Sequence, residues 1–152
     1  MHRRSLLASV TIASVALLTA PSGVAAASPN QSHHSCTGIV QITRFAFNPS
    51  SVSPGDSSTA NLSARNCTSA SQQTTATWFG RFIGASTGIP TGCPVLDPLP
   101  QPATFAPYGT FHSSVGYLVP ASCTASQLQI TVQIQQSGTV LAQQSTNLAI
   151  TQ

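Results

Sequence analysis

The chain runs to 152 residues, and five Arg and two Asp supply its formal charge; there is no Lys and no Glu. Binding to a phosphate backbone needs a cluster of cations, so the pI near 8.9 does not indicate nucleic acid as a partner. Two aspartates leave little material for acid–base catalysis, and solubility falls to Ser, Thr, Gln and Asn.

Met1-His-Arg-Arg4 is a basic start, Ser5 to Ala20 is an uncharged apolar run, and Val24 to Ala27 are small residues. This is the pattern of a secretory signal peptide over residues 1–27, cleaved after Ala27. A membrane anchor fits less well, because the run is short, rich in Ala, Ser and Thr, and lacks a positive stop-transfer flank. Arg3-Arg4 permits twin-arginine export, but the cysteines favour the general secretory route, with folding after export. The expectation is a secreted, extracellular protein with no membrane attachment after cleavage. The mature chain sets Arg44, Arg65 and Arg81 against Asp56 and Asp97, a net charge of +1, in a length suited to one domain. Residues 28–35 read as a flexible polar tail carrying His33 and His34, and residues 36–152 as the folded domain.

Cys36, Cys67, Cys93 and Cys123 form an even set in an exported chain, which reads as two disulfides with three connectivities open. No C-x-x-C pair supports zinc, and neither a metal nor a cofactor is expected.

Ile39 to Phe47 reads as the first strand, with Ile39, Gln41, Thr43, Phe45 and Phe47 on one face. Asn48-Pro-Ser-Ser breaks it and Pro54-Gly-Asp56 turns the chain. Ser57 to Asn66 alternates Ala60, Leu62 and Ala64 with Asn61, Ser63 and Arg65. Gln72 to Ile83 carries Trp78, Gly80 and Phe82 on one face and Phe79 and Arg81 on the other, so the side that Trp78 takes stays open. Gly84 to Gly109 holds six prolines, which exclude a helix or central strand and leave an extended connection with one short edge strand near Thr104-Phe105. Thr110 to Val119 follows, with Phe111, Val115, Tyr117 and Val119 inward. Leu128, Ile130, Val132 and Ile134 point inward from Gln127 to Gln135. Thr139 to Gln152 closes the domain with Val140, Ala142, Leu148 and Ile150 as core and a bulge near Ser145. About seven short strands without a helical period predict an all-β, antiparallel sandwich.

Phe47-Asn-Pro-Ser-Ser-Val-Ser-Pro-Gly-Asp56, Asn66 and Leu128-Gln-Ile-Thr-Val-Gln-Ile134 resemble the immunoglobulin-like and fibronectin-like sandwich domains of secreted bacterial proteins. The resemblance covers nearly all of the mature chain. The chain is also similar to small exported actinobacterial proteins labelled cellulose-binding. Such a sandwich alternates its loops between two ends, which implies Cys36–Cys67 at one end and Cys93–Cys123 at the other. Each ring of about 30 residues would contribute roughly 3–4 kcal/mol by loop closure. A monomer is expected.

Catalysis finds little support. Asp56 belongs to its own turn. Asp97 with Asp56 as a glycosidase dyad, or His112, Asp97 and a serine as a triad, lacks any nucleophile motif. Phe-x-Phe-x-Pro before Pro-Gly-Asp is similar in strand pattern to blue-copper domains, but the Cys and His ligand set is missing.

Three non-catalytic readings remain. Trp78, Phe79 and Tyr108, among Gln, Asn, Ser and Thr, are candidates to stack on sugar rings of an extracellular polysaccharide or cell-surface component. Tyr117 is aromatic too but suits the core. Gly92-Cys-Pro-Val-Leu-Asp-Pro98 is locally similar to the reactive loop of the bacterial subtilisin-inhibitor family, which implies Val95-Leu96 as the bond offered to a protease. The third reading is a structural, wall-associated domain without a small ligand.

Overall fold

A computed structural model describes residues 36–85 and 88–152. The proposed signal peptide, the tail and its two histidines lie outside the described residues. Eight strands are present: β1 (Val40–Asn48), β2 (Ser51–Val52), β3 (Ser57–Asn66), β4 (Gln72–Ile83), β5 (Leu99–Phe105), β6 (Thr110–Leu118), β7 (Gln127–Gln136) and β8 (Thr139–Ile150). They form a three-stranded sheet in the order β1-β3-β6 and a five-stranded sheet in the order β2-β8-β7-β4-β5. This is an all-β sandwich, and among the described residues β6 is an edge of the three-stranded sheet.

The count is eight rather than seven, and the second sheet is mixed. The two-residue β2 pairs with β8 in parallel, through Ser51↔Ala149 and Val52↔Ile150. After β1 the chain thus crosses to the other sheet. The Pro-rich connection holds a full strand, β5, instead of a short one near Phe105. Pro100 and Pro102 lie opposite Thr77 and Thr75. They share one parity on an edge strand, so their missing N–H groups cost no ladder bond.

Alternation fills the core. Leu62, Trp78, Phe105, Leu128, Ile130, Ile134 and Leu148 are fully buried. Two aromatic contacts join the sheets: Phe45 meets Trp78 edge-on at 5.5 Å between ring centroids, and Phe105 meets Phe111 at 5.5 Å. Such pairs add about 0.5–1.5 kcal/mol beyond their burial.

Two phases differ from the simple alternation. In β1 the register shifts between Ile42 and Arg44, leaving Thr43 as an extra residue. Val40, Ile42, Phe45 and Phe47 therefore face inward, and Thr43 is exposed. In β8 the extra residue is Leu141 rather than one near Ser145, because Ile134 pairs with Ala142 and Gln135 with Val140. Val140 is consequently exposed.

Both ends are tied. Cys36–Cys67 and Cys93–Cys123 are bonded, with Cα separations of 5.6 and 4.5 Å. At the first end Asn66 is fully buried and satisfied. Its Nδ2 donates to the carbonyls of Ala70 (2.7 Å) and Ala106 (2.9 Å), and its Oδ1 accepts from the Thr68 amide (3.0 Å) and hydroxyl (2.9 Å). One side chain thus pins the β3–β4 loop to the β5–β6 turn.

Candidate ligand-binding face

The outer face of the five-stranded sheet is a grid. Phe79 lies opposite Thr131, and Thr131 opposite Ser145. The adjoining rows are Thr77, Gln133 and Gln143, and Arg81, Gln129 and Asn147. These side chains face outward because their neighbours Trp78, Ile130 and Val132 face the core.

Hydrogen bonds order the grid. Arg81 Nε donates to Gln129 Oε1 at 2.9 Å. Gln133 Nε2 donates to Gln143 Oε1 at 2.9 Å, and Gln135 Nε2 to Gln133 Oε1 at 2.7 Å. The hydroxyls of Thr131 and Ser145 are 2.7 Å apart. Amide and hydroxyl groups held this way are fixed in place before any ligand arrives. Phe79 is 36% exposed. It borders an open depression of about 350 Å³ with Gly80, Arg81, Gln129, Thr131 and Gln133.

The three aromatic candidates do not converge. Trp78 is 1% exposed, which corrects its assignment to a binding surface. Its neighbours explain the inward choice: Gly80 leaves room on that face, and Phe45 supplies a ring to pack on. Its Nε1–H finds no hydrogen-bond partner among the described residues. Tyr108 is 57% exposed, but it sits in the β5–β6 turn with φ +53°. Its amide donates to the Thr68 carbonyl at 2.9 Å, at the Gln72 end of β4. Phe79 lies seven positions along β4 from Gln72, roughly 23 Å at about 3.3 Å per residue. Phe79 is therefore the one aromatic of the three on the sheet face.

The segment from Cys93 to Pro98 lies over the seam between the sheets. Val95 is 71% exposed. Leu96, the other residue of the bond proposed for a protease, is half-buried and packs on the core. The cause is Gly80: a Cβ there would lie 2.5 Å from Leu96 Cδ1, so the leucine fills the vacancy. An apolar groove of about 340 Å³ remains beside it, lined by Phe82, Val95, Leu96, Leu99, Val115 and Tyr117 among others. Burial there pushes the Tyr117 hydroxyl up to about 12. Asp97 also borders this groove, whereas Asp56 belongs to the turn before β3.

Among the described residues no three His, Cys, Asp or Glu side chains are grouped to hold a metal ion. No helix among them is long and apolar enough to cross a membrane. The two disulfides are compatible with an oxidising, extracellular setting.

No protein-family model and no curated protein matches the chain. Solved structures of similar fold include the Pseudomonas fluorescens alkylpurine DNA glycosylase AlkC bound to DNA containing an abasic site analog. The similarity has a TM-score of 0.54 and 11% identity, over 77% of this chain and 32% of that one. A second is the Paenibacillus sp. cycloisomaltooligosaccharide glucanotransferase complexed with cycloisomaltoheptaose. Here the TM-score is 0.52 and the identity 15%, over 72% of this chain and 14% of that one. The chain thus spans less than a third of either protein. At these identities the likeness is one of fold.

Proposed function

We propose that this chain is a secreted, non-catalytic binding domain whose ligand is a neutral extracellular polysaccharide. The carrying observation is Phe79, half-exposed on a flat sheet face and surrounded by fixed amides and hydroxyls. An aromatic face packs against the C–H face of a sugar ring, and amides satisfy its hydroxyls. Hydrogen bonds already formed among the glutamines lower the ordering cost on binding. The experiment is retention of the mature protein on insoluble cellulose, chitin, xylan and peptidoglycan, read by depletion from solution. Retention on one polymer, lost in Phe79→Ala and displaced by the soluble oligomer, supports the reading. Equal retention of the Phe79→Ala variant contradicts it.

A second reading has one observation in its favour. Val95 projects from an extended segment braced by Pro94, by Leu96 in the seam and by the Cys93–Cys123 bond. That is how a rigid loop offers one side chain to a protease pocket. Inhibition of a subtilisin-like protease that changes with the residue at position 95 would favour this reading over polysaccharide binding.

A further inference from the structure

The outer face of the three-stranded sheet carries a polar cluster that the Phe79 face does not use. The extra residue at Thr43 breaks the alternation of β1 and sets Arg44 on the solvent side between inward-facing Ile42 and Phe45. Bulges re-aim side chains in this way. In register, Arg44 lies opposite Ser63, and Ser63 opposite His112. The three residues form one row across β1, β3 and β6. The adjoining row is Ala46, Asn61 and Ser114.

The row is internally ordered. Ser63 Oγ and His112 Nδ1 are 3.0 Å apart. When the serine hydroxyl donates, the neutral ring carries its proton on Nε2; a protonated ring donates there as well. Thr43 Oγ1 donates to the Ser63 carbonyl at 3.2 Å, and Ser114 Oγ to Asn61 Oδ1 at 3.2 Å. Arg44, Asn48, Asn61, Ser63, His112 and Ser114 border a depression of about 340 Å³. Arg65 stands on the same face, opposite Gln41 and Thr110. Neither aspartate does: Asp56 is in the turn before β3, and Asp97 borders the seam.

We propose that this row binds a single oxyanion, a sulfate ester or a carboxylate, carried on a hydroxyl-rich glycan. Adjacent strands lie about 4.8 Å apart, so Arg44 and His112 flank Ser63 across about 10 Å of backbone. The guanidinium and the imidazole span that width toward a common oxyanion. The planar fork of Arg44 matches two oxygens of the anion, and His112 Nε2 reaches a third position. Asn61 and Ser114, one row away, meet neighbouring hydroxyls. The site lies on the opposite side of the sandwich from Phe79 and stands independently of that reading.

The test is affinity electrophoresis of the mature protein in dextran sulfate, polygalacturonate and uncharged dextran, with single-stranded DNA as a fourth arm. Retardation by one or both acidic glycans and not by dextran is expected, and which polymer acts identifies the group. Arg44→Ala should weaken binding at least about tenfold, the loss of a charge-assisted hydrogen-bond pair. Arg44→Lys, which keeps the charge and loses the fork, should be intermediate, and Ser63→Ala should weaken binding less than Arg44→Ala. Arg44 is exposed and the Ser63 hydroxyl bonds only to the exposed His112, so the variants should keep the wild-type thermal midpoint. Retardation by neither acidic glycan, or by DNA alone, would overturn the proposal. So would equal losses in Arg44→Ala and Arg81→Ala, because Arg81 lies on the other sheet and equal losses would mean bulk charge.

Discussion

Leu96 occupies the space that a side chain on residue 80 would need. A Cβ at Gly80 would stand 2.5 Å from Leu96 Cδ1 and 2.9 Å from Ile130 Cδ1. A strand position without a side chain and a loop leucine are thus one packing unit. Gly80→Ala should destabilise the fold by about 1–3 kcal/mol through overpacking. In the double variant with Leu96→Ala the alanine methyl enters the vacated space. The two effects should therefore be non-additive, with coupling on the order of 1 kcal/mol in a urea-unfolding cycle. Simple additivity would mean that Leu96 does not seat on Gly80.

The Cys93–Cys123 bond fixes the other side of the same loop across a sequence separation of 30. Replacing both cysteines by serine should cost roughly 3–4 kcal/mol by loop closure. It should also speed proteolytic cleavage near Val95. Limited proteolysis with mass mapping checks the second effect, and denaturant midpoints check the first.

Asn66 makes four side-chain hydrogen bonds at a site closed to water. Asn66→Ala leaves the Ala70 carbonyl with the Thr68 hydroxyl and the Ala106 carbonyl with the Gly109 amide, but it takes the acceptor from the Thr68 amide and unties the two loops, so a loss of about 1–3 kcal/mol is expected. Asn66→Asp should be harmful too, because a carboxylate cannot donate to those carbonyls. Thermal unfolding of the two variants measures both.

Tyr117 ties stability to high pH. Burial raises its hydroxyl from 10.0 to about 12 in the folded chain. Above the unfolded value the unfolded state releases the proton more readily, so stability falls with rising pH. The contribution is fully present below pH 10 and is lost as the pH passes through 12. Urea unfolding at pH 9 and 11 should show the decline, and Tyr117→Phe should flatten it.

Regular alternation made much of the sandwich legible. Leu128 to Ile134 and Ala60 to Ala64 declare their faces without help from the rest of the chain. Trp78 was ambiguous because Phe79 is apolar on the other face and Gly80 carries no polarity signal. Its burial depends on Phe45 from the opposite sheet and on Leu96 from a loop. The extra residue at Thr43 was also hidden: Gln41, Thr43 and Phe45 continue a plausible period of two, and pairing with β3 sets the actual phase. Nothing in the sequence marks Asn66 as buried, since composition does not reveal carbonyls 40 positions away. The candidate face was legible only as a surplus of Gln and Thr. Its centring on Phe79 required the register of β4 against β7 and β8.

The central claim is that the Phe79 face holds the ligand. The most direct measurement is a backbone amide NMR titration of the mature protein with the soluble oligomer of whichever polymer retains it. The account predicts shifts concentrated at Phe79, Arg81, Gln129, Thr131, Gln133 and Ser145, abolished in Phe79→Ala. Shifts confined to Val95 and its neighbours, or to the β1-β3-β6 face, would contradict it.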